Sequence, residues 1–153
     1  AIKRVGHVVL KVRDVEKAKR FYVDFLGMKI GNEVEGRGMF LRFGDYHHDI
    51  AVFKTGDDAD LPKDNQVGLV HVALVVDSDE ALRGFYDRAK EMGVQVDNWT
   101  DHDVTHSLYL RDPEGNQIEL YAETGYDWQN NGMGFRSKAF DLEGIPAPAA
   151  SVV

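Results

Sequence analysis

Gly6-His7-Val8-Val9-Leu10 returns sixty-four residues later as Val70-His71-Val72-Ala73-Leu74, and Phe21-Tyr22 returns at the same spacing as Phe85-Tyr86. No other feature narrows the choice of fold as far. Each copy opens on a period of two. Val8, Leu10 and Val12 share one face of a strand over residues 5–12, with His7, Val9 and Lys11 on the other; His71, Ala73 and Val75 share a face of a strand over 69–76. Each copy then changes to helical spacing. Asp14 caps a helix expected from Val15 to about Leu26, with Ala18, Phe21, Tyr22 and Phe25 as its apolar stripe and Gly27 at its end. Asp77 or Ser78 caps the second, which runs to about Met92 with Leu82, Phe85, Tyr86 and Ala89 inward and Gly93 after it.

Three short strand-like runs complete each copy, at about 29–33, 38–43 and 49–54 in the first and 94–97, 107–111 and 116–121 in the second. Asp112-Pro113-Glu114-Gly115-Asn116 joins the last two by a tight turn. The expected class is therefore α+β: two βαβββ modules, at 1–60 and 61–123, paired into a curved, partly closed mixed sheet, with a C-terminal extension over 124–153. The polar stretch 55–66 reads as a linker or surface loop. A helix covers one face of such a sheet, and the other curves around a cleft.

Strand parity sends His7, His71 and Glu119 to that inner face. Aligning Asp49-Ile-Ala-Val-Phe53 with Gln117-Ile-Glu-Leu-Tyr121 puts Ala51 where the second module carries Glu119. The cleft then offers three strong ligands. An unpaired carboxylate in mid-strand is costly, so Glu119 asks for a partner. Two imidazoles and one carboxylate make the facial triad of non-haem Fe(II) oxygenases, which leaves coordination positions open on one side; Zn or Ni would accept the same donors. Composition removes competitors. With no cysteine there is no thiolate ligand or disulfide. A net charge of −8 with scattered Lys and Arg argues against a nucleic-acid surface. No apolar run reaches membrane-spanning length, and the first residues show no secretory h-region, so a cytoplasmic protein without a membrane partner is expected.

The residues 6–14, Phe21-Tyr22, Leu26-Gly27, His71-Val-Ala and 102–121 make the sequence resemble the vicinal oxygen chelate superfamily, and within it the type I extradiol, catechol 2,3-dioxygenase-like, ring-cleaving enzymes. The resemblance covers about residues 5–128. It implies paired βαβββ modules and a mononuclear metal on His7, His71 and Glu119, usually Fe(II) and sometimes Mn(II). It also implies a small aromatic diol as substrate with O₂. Tyr109, ten residues before Glu119, matches a family tyrosine that hydrogen-bonds the substrate oxygen. His102 matches a segment that closes over the site. His47-His48-Asp49-Ile-Ala matches the segment that carries the family's base, and that match selects His48, whereas strict alternation back from Ala51 selects His47. His106 shares parity with Leu108 and Leu110 and is left out. Well-known extradiol enzymes carry two module pairs and this chain has one, so a homo-oligomer is expected. Two other readings stay open: a glyoxalase- or epimerase-like isomerase or lyase on Zn, Ni or Co, which would want a carboxylate at position 51, and a bleomycin-resistance-like binding protein, which would lack the triad.

Overall fold

In the computed structural model, which describes residues 1–134 and 136–148, the repeat becomes two four-stranded sheets of one topology. The first contains β1 (Val8–Val12), β2 (Lys29–Val34), β3 (Gly38–Arg42) and β4 (Ile50–Lys54), in the order β1-β4-β3-β2. The second contains β5 (His71–Val75), β6 (Gln95–Asp101), β7 (Thr105–Arg111) and β8 (Gln117–Glu123), in the order β5-β8-β7-β6. The β1–β4 and β5–β8 pairs are parallel and the others antiparallel. The α+β class and the repeated βαβββ module are thus as the sequence indicates. The chain groups into two compact units. One holds Ala1–Val67 with the turn Pro113–Gly115, and the other holds Gly68–Asp112 and the chain from Asn116 onward.

The registers of the two sheets coincide. Val9 stands opposite Ala51 as Ala73 stands opposite Glu119, and Phe40 stands opposite Ala51 as Tyr109 stands opposite Glu119. Each sheet also skips one residue at the same point, Gly31 in β2 and Asp97 in β6. A bulge turns the rest of its strand. In β6 that break hides the strand's continuation, which is why the sequence reading stops at Asp97 while the strand runs to Asp101.

The second helix, α2 (Asp79–Met92), begins and ends as expected: Ser78 Oγ accepts from Ala81 N at 3.3 Å and Gly93 adopts φ 69°. It packs Leu82, Tyr86 and Ala89 against the Leu108, Leu110, Ile118 and Leu120 face of its sheet. The first helix departs from expectation. Only α1 (Val15–Lys19) has α geometry; Arg20–Phe25 widens into a π-helical segment, with Leu26 N bonded to Phe21 O at 2.9 Å. The wider turn lets Phe21, Tyr22, Phe25 and Leu26, all buried, share a narrower arc of the helix surface. No helix among the described residues is long and apolar enough to cross a membrane.

Beyond β8, Tyr126, Trp128 and Phe135 among Gly and Asn predict an ordered, extended segment. Instead Trp128–Asn131 makes one helical turn, α3, with Trp128 half exposed. The sequence from Gly144 on reads as frayed or extended; its last residues, 149–153, and Phe135 lie outside the described residues. Residues 136–148 run back over the second unit. Leu142 is fully buried there, Tyr86 Oη donates to Glu143 Oε1 at 2.6 Å, and Arg83 donates to Ile145 O at 2.8 Å.

Glu114 is one residue whose role the sequence does not show. It sits in the tight turn between β7 and β8, yet it is only 5 % exposed. Its carboxylate accepts from Arg13 N and Asp14 N at 2.9 and 3.0 Å and pairs with Arg13 Nε at 2.9 Å. Burial alone would push its pKa up; the Arg13 guanidinium and the two backbone donors outweigh this and hold it below the ordinary carboxylate value. A depressed folded pKa means the stabilisation is present above the unfolded value and is lost as pH falls through the folded one. Glu114→Gln should therefore destabilise the protein by about 2 kcal/mol at neutral pH, allowing for the partly exposed arginine. By about pH 3 the difference should have shrunk. Denaturant unfolding at the two pH values checks this; an equal loss at both would remove the ion pair as its source.

Candidate functional site

The second unit brings four of the six predicted site residues together. Glu119 comes from the centre of β8, where Ile118 and Leu120 turn to the helix and Glu119 to the opposite face. His71 opens the neighbouring parallel strand, and its Nε2 lies 3.0 Å from Glu119 Oε2. Tyr109, directly opposite Glu119 on β7, reaches the other carboxylate oxygen, Oη to Oε1 3.2 Å. His102, in the turn between β6 and β7, presents Nε2 to the Tyr109 hydroxyl at 2.8 Å. A chain of polar atoms thus runs His71–Glu119–Tyr109–His102.

Burial and the neighbouring Glu119 charge, with its hydrogen bond, push the Tyr109 phenol up to about 12. The hydroxyl keeps its proton at neutral pH and serves as a donor. Glu119 is 8 % exposed, and among the described residues no lysine or arginine pairs with it. Buried charges are paired or coordinate metals; here the imidazole of His71 is the partner, and among the described residues no group of three or more His, Asp or Glu side chains comes together as a metal site. A cavity of about 510 Å³ opens beside this chain, lined by His71, Asn98, His102, Tyr109, Gln117 and Ser137 among others.

The first unit holds the other two predicted residues. His7 enters β1, whose first residue bonds back through Val8 N to Asp49 O at 3.0 Å. That bond brings the residue before Asp49 alongside, and the rings of His7 and His48 lie 4.2 Å apart. Phe40, the counterpart of Tyr109, packs edge-on against His48 at 5.1 Å. β4 begins only at Ile50, and the irregular segment before it turns His48 toward His7. His47 stacks on Tyr46 at 4.0 Å, with its Nδ1 2.5 Å from that of His48. Partial burial, with His7 and His47 nearby, holds the His48 pKa below the ordinary imidazole value. Ala51 is fully buried and contributes only a methyl group. His106 faces away as parity indicated, with Nδ1 2.8 Å from Asp79 and its ring stacked on Phe140.

Sequence reading missed Asn98, Gln117 and Ser137. Gln117 shares parity with Glu119 and was legible. Asn98 lies past the bulge, and Ser137 lies in a segment without periodicity.

Residues 4–120 match the Glyoxalase/Bleomycin resistance protein/Dioxygenase superfamily. The chain is 27 % identical to the catechol-2,3-dioxygenase of Bacillus subtilis over 92 % of its own length and 50 % of that protein's. It is 32 % identical to biphenyl-2,3-diol 1,2-dioxygenase 3 of Rhodococcus globerulus over 76 % of its own length and 62 % of that protein's. It therefore spans about half to three-fifths of these relatives. Among solved structures it resembles a lactoylglutathione lyase from Agrobacterium tumefaciens with a TM-score of 0.63, at 21 % identity, covering 83 % of this chain and 97 % of that one.

Proposed function

Because the chain belongs to the Glyoxalase/Bleomycin resistance protein/Dioxygenase superfamily, we propose that it is a metal-dependent extradiol dioxygenase. In this reading it inserts both atoms of O₂ into a small catecholic substrate. The observation that supports this best is the nearly buried Glu119 carboxylate, held between His71 and the Tyr109 hydroxyl. Glu119 and His71 would hold the metal; His7, the third ligand that the resemblance implies, belongs to the first unit. Fe(II), or Mn(II) in its place, would bind the diol oxygens and supply the electron-transfer chemistry that lets O₂ react with the ring carbons.

The chain's own residues do the rest. Ala51 supplies no fourth ligand where the first module's counterpart of Glu119 stands. Tyr109 keeps its proton and directs its hydrogen bond to Glu119, to a substrate oxygen or to His102 Nε2. His102 takes up a substrate proton at Nε2, directly or through Tyr109. His48, with its pKa lowered, stays neutral as a base. The polar groups at Asn98, Gln117 and Ser137 orient ring substituents in the cavity. A homo-oligomer belongs to this proposal, since β1 and β5 stand at the edges of their sheets with Val9 and Val75 exposed.

An isomerase or lyase reading draws on length, because the chain covers nearly all of the lactoylglutathione lyase it resembles. At that identity the likeness shows the fold alone, and Ala51 leaves the reading without a first-module carboxylate. Metal analysis of protein purified without oxygen should find iron or manganese. Zinc or nickel at one per chain would favour the isomerase, and no bound metal would favour a binding protein.

A further inference from the structure

We propose that residues 136–138 are part of the candidate site. The main-chain carbonyl of Arg136 holds His102 in the tautomer protonated on Nδ1, which leaves Nε2 bare toward the Tyr109 hydroxyl. The inference rests on reading His102 and Tyr109 as the residues that handle the substrate's protons. It concerns a segment that lies beyond the family match, which ends at residue 120.

His102 Nδ1 stands 2.5 Å from Arg136 O. A carbonyl oxygen only accepts, so Nδ1 carries the hydrogen. A neutral imidazole has one N–H, so its Nε2 is an acceptor. The group facing Nε2 at 2.8 Å is the Tyr109 hydroxyl, whose single proton has two acceptors in reach, this nitrogen and Glu119 Oε1 at 3.2 Å. When Glu119 is committed to a metal, the proton turns to His102. A second proton arriving at Nε2 breaks nothing, because the cationic ring still donates from Nδ1 to the same carbonyl. With the opposite tautomer Nε2 would be a donor and could receive no proton.

The carbonyl is held in place from several sides. Lys138 exchanges two backbone hydrogen bonds with Asp101, N to O at 2.8 Å and O from N at 3.1 Å, and Thr100 Oγ1 donates to Lys138 O at 3.0 Å. Asp103, with φ 68° in the turn beside His102, is paired with Lys138 Nζ and lies 3.5 Å from the Arg136 guanidinium. A non-glycine residue in that conformation needs surrounding contacts to keep it. Farther along, Phe140 stacks on His106 at 4.1 Å and Leu142 is fully buried. The strap is therefore docked on the sheet that carries His102, and Arg136 acts through His102 as a positioning residue.

Long-range ¹H–¹⁵N correlation of the full chain tests this, with neither metal nor substrate present and the rings neutral. Loss of signals in His102→Gln assigns the His102 resonances. The expected spectrum shows Nδ1 protonated and Nε2 bare. A protonated Nε2, or averaging between the two tautomers, would overturn the proposal. Lys138→Pro removes the N–H that bonds to Asp101 and should bring on that averaging in a folded protein; an unchanged His102 spectrum there would also overturn it. If Lys138→Pro does not fold, the wild-type spectrum alone decides. The outcome is separate from the dioxygenase reading. A protein that consumes no oxygen yet shows His102 protonated on Nδ1 would lose the activity and keep the strap's hold on the ring.

Discussion

Glu119→Gln should abolish metal-dependent stabilisation while leaving the metal-free protein at least as stable as wild type. The two halves have one cause. Glu119 is an acidic side chain about nine-tenths buried, facing an imidazole and a phenol hydroxyl. Without a metal its charge is a cost, and an amide of the same shape removes that cost; the metal-free variant should fall within about 1 kcal/mol of wild type or above it. With a metal the charge is a ligand. At a thousandfold excess over Kd the wild type gains about 4 kcal/mol, or about 10 °C in Tm for a chain of this size. Losing one strong ligand should weaken binding by at least about 100-fold, the upper end of what outer-shell changes produce, leaving about 1.4 kcal/mol or less. Thermal unfolding with and without Fe(II) or Mn(II) measures both. A metal-free variant several kcal/mol less stable than wild type, with an unchanged metal shift, would make Glu119 a structural residue.

Most of the architecture was legible because it is written twice. The return of the His7 pattern at His71, and of Phe21-Tyr22 at Phe85-Tyr86, needs no tertiary information, and the matching registers follow from it. Parity along β7 and β8 likewise put Tyr109 and Glu119 on one face. Legibility ends where the backbone stops being periodic. His47 and His48 sit in an irregular approach to β4, so alternation had nothing to count along, and a bond from Val8 N to Asp49 O decides which ring meets His7. The bulge at Asp97 concealed the end of β6 and with it Asn98. Glu114 looked like turn chemistry because its partner, Arg13, is a hundred residues away. The widening at Arg20–Phe25 is a packing choice among four apolar residues that an α-helix would also have served.

The largest effect expected is the appearance of oxygen consumption itself, and it tests the central claim most directly. Anaerobic protein loaded with Fe(II) is given a catechol and then air. The account predicts a substrate-dependent spectral change before air is admitted and, afterwards, uptake of one O₂ per ring opened. The product should be a yellow, pH-dependent semialdehyde or keto-acid, since cleavage beside the diol leaves a conjugated enol. Glu119→Gln, treated identically, should consume no oxygen above the background oxidation of the catechol. The account would be contradicted by iron-loaded wild type that takes up no O₂ across simple, bicyclic and carboxylated catechols, or by uptake that survives in Glu119→Gln.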